Sequence, residues 1–259
     1  MKRKSVSLLP LLLAVLMLFA GCGNKPVKLK YDEQAQTYTD SKHDVTYLRA
    51  PIYYEAYGLK PDLPYAKLDA KIPQILYQMD YADPKDMIAN EYFEIFYSDR
   101  ITLPKLWEMG VDSILVGLMR ENSMIDLTVV TITDAQDISY LIGCYQNAAT
   151  LAFPKKEMLD GNDVVGSYRL RFASAAHPAF FYCLEYYQYE EDVVIYEVIE
   201  SKESFVPTYA GALSTSFDES YVDRGELYAV YHFGKNILCD PVTGECFAVS
   251  DTVAKHLDH

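Results

Sequence analysis

Residues that often act as nucleophiles, bases or metal ligands occur in this chain, but not at the spacing of a known catalytic motif. The sequence contains no Gly-x-Ser-x-Gly elbow, no Ser-x-x-Lys motif and no His-Glu-x-x-His zinc motif. Of the five histidines, only His256 and His259 are close together, and they lie at the C-terminus, where chains usually fray. We therefore predict no catalytic residue, no metal site and no cofactor. A triad assembled only by the fold remains an alternative.

Clusters of acidic residues form the second group that could do chemistry. Four clusters lie in predicted turns or at the ends of elements: Asp80/Asp83/Asp86, Asp160/Asp163, Glu190/Glu191/Asp192 and Asp218/Glu219/Asp223. Such carboxylates could ligate Ca²⁺ together with free carbonyl groups, but none of the clusters matches the EF-hand loop. A solvated charged surface is the simpler interpretation.

The cysteines offer covalent chemistry. Cys239 and Cys246 flank a segment with the turn-forming pairs Asp-Pro and Thr-Gly, and strand-like residues lie on both sides. The two thiols would therefore face each other across a hairpin, and we predict a disulfide between them. The alternative is that Cys144, Cys183, Cys239 and Cys246 are all buried free thiols. The spacing does not match a zinc site.

Tyrosine is unusually abundant, with 23 copies against 11 of Phe and one of Trp. Its flat apolar ring and polar tip suit contacts with sugars, peptides and wet protein interfaces. The densest run, residues 180–189, is apolar on both faces at the two-residue period of a strand. Either this strand is central and covered twice, or one face lies under a partner. The candidate interaction residues are Tyr182, Tyr186, Tyr187 and Tyr189.

The charge balance excludes one class of partner. The 259 residues include 23 Lys and Arg against 37 Asp and Glu, for a formal charge of −14. A protein that binds nucleic acid needs clustered Lys and Arg to displace counterions from the polyanion. We therefore predict that this chain does not bind nucleic acid.

The N-terminus has the pattern of an export signal. Lys2, Arg3 and Lys4 precede an apolar run from Val6 to Phe19, which is too short for a membrane span of about 20 residues. The run leads into Leu18-Phe19-Ala20-Gly21-Cys22, with two small residues before a Cys. This segment resembles the lipobox of bacterial lipoproteins, although Phe19 stands where that class usually has Leu.

The resemblance implies a specific processing and location. The chain would be cut before Cys22, and its thiol would carry a diacylglyceryl group that holds the protein on the membrane. Residues 1–21 would then be the signal peptide and residues 22–30 a basic tether. Residues 31–259 would form the extracytoplasmic body, as one domain or as two divided near residue 120. The expected location is the outer face of the cell membrane, with the lipid bilayer as a partner.

The order of predicted elements indicates an α+β fold. Strand-like segments follow one another with few helices between them, which favours a mainly antiparallel sheet. A mid-chain helix is predicted after Asp134, because Ile138, Leu141, Ile142 and Tyr145 recur at helical spacing. We also predict a short helix from Asp83 to Ala89 and a final helix from Asp251 to the C-terminus.

Together these features predict a membrane-anchored envelope lipoprotein that acts as a binding or interaction module. Its partner would be an envelope protein or a glycan. Two alternatives remain open. One is a hydrolase of envelope glycans, which needs two carboxylates about 5–9.5 Å apart in a cleft. The other is an accessory subunit of a membrane complex.

Overall fold

The fold is mostly β, so the predicted α+β class is wrong. Strands account for 52% and helices for 11% of the structure. The computed structural model describes residues 26–68, 73–119, 127–146, 153–159, 162–218 and 226–257. The strands form a closed seven-stranded barrel and a second, eight-stranded sheet. Among the described residues, no helix is long and apolar enough to cross a membrane.

The barrel is built from the first third of the chain. Its strands lie in the order β1-β2-β3-β8-β7-β6-β5, and a parallel pairing of β1 with β5 closes the ring. The other neighbours in the barrel are antiparallel. The strands of this region are β1 (Val27–Asp32), β2 (Thr37–Asp40), β3 (Val45–Arg49), β4 (Tyr54–Ala56), β5 (Leu59–Leu68), β6 (Ile75–Met79), β7 (Met87–Asn90) and β8 (Ile95–Ser98).

Alternating side chains fill the barrel interior. In β3, Val45 and Tyr47 are buried while the residues after each are only partly buried, as the two-residue period of a strand requires. The Tyr47 hydroxyl donates a hydrogen bond to the backbone oxygen of Pro84 at 2.8 Å. In β5, the pairing with β6 shifts register around Pro64, because proline has no N–H to give to the ladder.

The second sheet is antiparallel, in the order β10-β9-β11-β12-β14-β13. Strand β15 pairs with the end of β14, and β4 leaves the barrel region to pair with the start of β12. The elements of this region are β9 (Ser113–Leu118), β10 (Leu127–Ile132), the helix α1 (Ala135–Gln146), β11 (Val164–Ala173), β12 (Phe180–Ile199), β13 (Ser214–Asp218), β14 (Leu227–Cys239) and β15 (Cys246–Ala248).

Strand β12 contains the four candidate interaction tyrosines and lies in the middle of this sheet. Tyr182, Tyr186, Tyr187 and Tyr189 are only 4%, 0%, 7% and 5% exposed. They form no exposed patch, because β11 and β14 flank the strand and apolar clusters cover both of its faces. The acidic residues 190–192 do not end the strand. They form a bulge, where the register with β14 shifts between Gln188 and Val193.

Helical structure is scarcer than predicted. The mid-chain helix α1 is present, and Asp134 caps it by accepting the backbone N–H groups of Gln136 and Asp137. The segment predicted as a helix from Asp83 to Ala89 is instead a turn followed by β7, because its apolar residues pair with β6 and β8. The predicted C-terminal helix is a single 3-10 turn, Ala254–His256.

Candidate functional site

An aromatic pocket of about 300 Å³ lies beside β12. Four elements enclose it: β4 with the residue before it, the 3-10 turn Leu106–Glu108, the C-terminal end of α1, and the hairpin between β14 and β15. Most of its lining is aromatic: Tyr53, Tyr54, Trp107, Tyr145, Phe153, Tyr182 and Phe247. Ligand pockets in proteins combine such apolar walls with a few polar groups, so this is the leading candidate site.

The hairpin wall of the pocket is fixed by a disulfide. Cys239 and Cys246 are bonded, with Cα atoms 4.2 Å apart, and they are directly opposite each other in the register of β14 and β15. We name the segment between them, residues 240–245, the cystine loop. Within it, Oδ1 of Asp240 accepts the N–H groups of Val242 and Thr243. The left-handed turn uses Gly244, at φ +68°.

A buried carboxylate lines the pocket. Asp240 is 6% exposed, and its Oδ2 accepts a hydrogen bond from the Tyr145 hydroxyl at 2.5 Å. The Tyr145 and Tyr182 hydroxyls are themselves 2.7 Å apart. Burial raises the pKa of both tyrosines, and the charge of Asp240 adds to the rise. Both phenols are therefore neutral at physiological pH.

The rings of the pocket pack in a continuous group. Tyr53 stacks on Tyr182 with centroids 4.7 Å apart, and Tyr54 meets Tyr182 edge-on at 5.3 Å. Trp107 lies at the rim, 39% exposed and 6.4 Å from the ring of Tyr145. The Lys105 ammonium lies over the Trp107 ring at 5.3 Å. The rigid inner rings and the accessible outer indole suit a ligand that enters past Trp107.

A second cavity, of about 200 Å³, contacts side chains from the other face of β12. We call it the charged groove. Three glutamates line it, and each is paired with a cation. Glu55 binds Arg171 at 2.9 Å, and Glu94 binds Arg49. Glu185 binds Lys156 at 3.1 Å.

The charged groove gives little support to the hydrolase alternative. A glycosidase needs two carboxyl groups that are free to act on the substrate, whereas each of these three glutamates is held in an ion pair within the chain. Cys183 also lines the groove, where burial raises the pKa of its thiol well above the usual range. A thiol in this environment is a poor nucleophile.

The predicted site residues are scattered through the fold. Cys22 and the lipobox lie outside the described residues. Cys239 and Cys246 support the pocket, and Tyr182 lines it, whereas Tyr186 donates a hydrogen bond to Asn236 in the core at 2.6 Å. Within the described part of the chain, no group of three or more His, Cys, Asp and Glu side chains is placed to hold a metal ion.

Sequence reasoning missed Asp240, Tyr145 and Trp107 as site residues. One signal was available, since Asp240 opens the turn between the paired cysteines. Its contact with Tyr145, 95 residues away, has no sequence signature. The chain matches no protein-family model, no curated protein and no solved structure.

Proposed function

We propose that this protein is a lipid-anchored binding protein of the cell envelope, whose aromatic pocket holds a small organic ligand. One observation carries the proposal. A disulfide, a helix end and a β-strand hold aromatic rings around a buried carboxylate in a cavity that remains open. Ligand sites combine apolar and aromatic walls with a few fixed polar groups, and this pocket has both.

The pocket suits binding better than catalysis. Tyr145 and Tyr182 are neutral, so neither is a ready base or nucleophile. Asp240 already accepts three hydrogen bonds, which fix its position. What remains for a ligand is a set of flat ring faces and a fixed negative charge, and both are recognition elements.

The single tryptophan makes the proposal directly testable. Because Trp107 is the only Trp in the chain and lies at the pocket rim, its fluorescence reports on occupancy. The ectodomain from Gly23 would be titrated with envelope glycan fragments, amino acids and organic amines. We expect at least one saturable change in emission. The Tyr145→Phe variant should weaken binding, and Tyr196→Phe, an exposed residue far along β12, should not.

A screen in which no compound alters the emission, and in which calorimetry also detects no heat, would contradict the proposed pocket. Equal effects of Tyr145→Phe and Tyr196→Phe would place any binding elsewhere. The lipid anchor is tested separately. We expect Cys22→Ala to move the full-length protein out of the membrane fraction, whereas an unchanged distribution would exclude anchoring through that thiol.

A further inference from the structure

The charge of Asp240 has no counterion in the structure. Ion pairs join Lys155 to Glu245 and Lys156 to Glu185, but no Lys, Arg or His of the described ranges lies within 4 Å of the Asp240 carboxylate. Its bonds come only from two backbone N–H groups and one phenol. Buried carboxylates are normally paired with a cation, since removal from water is costly. Asp240 is therefore compensated by dipoles alone.

The rings around Asp240 add to the negative potential of the pocket. The face of a tyrosine ring is the negative end of its quadrupole, and it attracts cations within about 6 Å of the centroid. Tyr53, Tyr145 and Tyr182 all line the cavity, and the pKa of each is raised mainly by burial and further by the charge of Asp240. The field of this one carboxylate thus reaches three of the surrounding rings.

We propose that the ligand of the aromatic pocket carries a cationic nitrogen, an organic ammonium group held among the tyrosine rings with Asp240 as its counterion. This inference rests on the proposed binding function and specifies its ligand class. The ammonium would supply the positive charge that Asp240 lacks, and its carbon substituents would pack on the ring faces. A neutral saccharide could use the same rings but would leave the carboxylate without a counterion.

Lys105 gives the inference a second, independent consequence. Its ammonium lies over Trp107 at the rim and is the only lysine or arginine side chain among the lining residues that the structure describes. This charge would repel a cationic ligand bound in the pocket, so removing it should strengthen binding. A saccharide that accepted a hydrogen bond from Lys105 would instead lose affinity when the lysine is replaced.

The test compares two probes of the same shape. Choline carries a quaternary nitrogen, and 3,3-dimethylbutan-1-ol replaces that nitrogen with carbon and is neutral. Both would be titrated into the ectodomain while Trp107 emission is followed, with calorimetry as a check. We expect choline to bind at least about tenfold more tightly than the neutral alcohol.

Three substitutions show which side chains cause the difference in affinity between the two probes. Asp240→Asn keeps an oxygen that can accept the loop N–H groups but removes the charge, and it should weaken choline binding by about tenfold without affecting the alcohol. Lys105→Gln should strengthen choline binding several-fold, and Glu200→Gln, on the exposed surface, should change neither probe. Circular dichroism and thermal unfolding would show whether each variant keeps the fold.

The outcomes separate this inference from the function on which it rests. Equal affinity for the two probes, or no binding of choline, overturns the cationic ligand. If N-acetylglucosamine or another neutral compound then binds and Tyr145→Phe weakens it, the pocket remains a binding site and only the ligand class is wrong. If no probe of either class binds, both proposals fail.

Discussion

The buried carboxylate of the aromatic pocket is compensated differently from the glutamates of the charged groove. In the charged groove, Glu55, Glu94 and Glu185 each bind a cationic side chain of the same chain. In the aromatic pocket, Asp240 binds only hydrogen-bond donors without charge. The side chains of the three glutamates are 18%, 30% and 22% exposed, whereas Asp240 is buried and has no cationic partner among the described residues. The carboxylates that are paired within the chain stabilise the fold, and Asp240 is the one that would pair with the proposed ligand.

Removing a cation from the charged groove should give the largest loss of stability. Arg171 is buried and paired with Glu55, so Arg171→Met would leave this partly buried carboxylate with only the longer ion pair to Arg169, at 3.5 Å. We expect the free energy of unfolding to fall by about 3 kcal/mol. Urea denaturation measures this, with Arg49→Met at the more exposed pair as the control, where the loss should be below about 1 kcal/mol. Losses of similar size would mean that burial does not set the strength of these pairs.

Opening the disulfide should affect the aromatic pocket more than the groove. Replacing both Cys239 and Cys246 with Ser removes a short cross-link, and the expected cost is about 2 kcal/mol of stability. The cystine loop would also lose its fixed position, so ligand affinity should fall. Thiol titration of the unfolded ectodomain should detect two free thiols, from Cys144 and Cys183. Four free thiols would show that the bridge does not form.

Removing one tyrosine hydroxyl that binds a carboxylate is a change that can be made in the same way beside each cavity. Tyr145→Phe removes the bond to Asp240, and Tyr187→Phe removes a 2.5 Å bond to Glu185 in the charged groove. Each should cost about 1–2 kcal/mol of stability, because each leaves a carboxylate with one donor fewer. Only Tyr145→Phe should lower the affinity for the ligand. A loss of affinity in both variants would indicate that the cavities act together.

Low pH should destabilise the packing of α1, whose C-terminal end lines the aromatic pocket. We expect this effect to be smaller than those of the substitutions above. Asp137, in the first turn of α1, accepts hydrogen bonds from Lys255 and His256 at 2.6 and 2.8 Å. The bond from Lys255 is the main cause that lowers the pKa of Asp137 below its usual 3.8. A lowered folded pKa means stabilisation that is present above pH 3.8 and is lost as the pH falls through the folded value.

The measurement for this last effect is the urea midpoint of unfolding as a function of pH. Wild type should lose stability below about pH 4, and Asp137→Asn should lose less over the same interval. Glu203→Gln, an exposed residue, is the matched control and should follow wild type. An Asp137→Asn profile parallel to that of wild type would show that this carboxylate does not contribute to the acid response.

Local patterns were read correctly from the sequence, but long-range contacts were not. The two-residue alternation of residues 180–189 predicts a strand with two apolar faces, and the structure has it. The cap at Asp134 and the turn between Cys239 and Cys246 are equally local. The barrel is closed by pairing Val27–Leu29 with Ala66–Leu68, and no local signal marks that partnership. The same holds for Tyr145 and Asp240.

The fold class was wrong because tertiary pairing overrode local helix signals. Asp83-Pro84 is a typical helix start. The apolar residues that follow are nevertheless more stable when they pair with β6 and β8 in the barrel than in a short helix. Near the C-terminus, Lys255 and His256 bind Asp137 of α1, and the described residues there form a single 3-10 turn. The interior position of Tyr186 and Tyr187 follows from the central place of β12 in its sheet, which is one of the two interpretations that the apolar pattern of residues 180–189 left open.

The closure of the barrel through β1 also determines how the molecule would respond to mechanical load. Strand β1 is the first described element after the N-terminal segment, and both of its edges are bonded, to β2 on one side and β5 on the other. A pull on the chain before Val27 first loads the ladder between Val27–Leu29 and β5, and reaches the ladder between Lys30–Asp32 and β2 only after it. The pairing that closes the barrel is therefore also the one that bears tension from the N-terminal side.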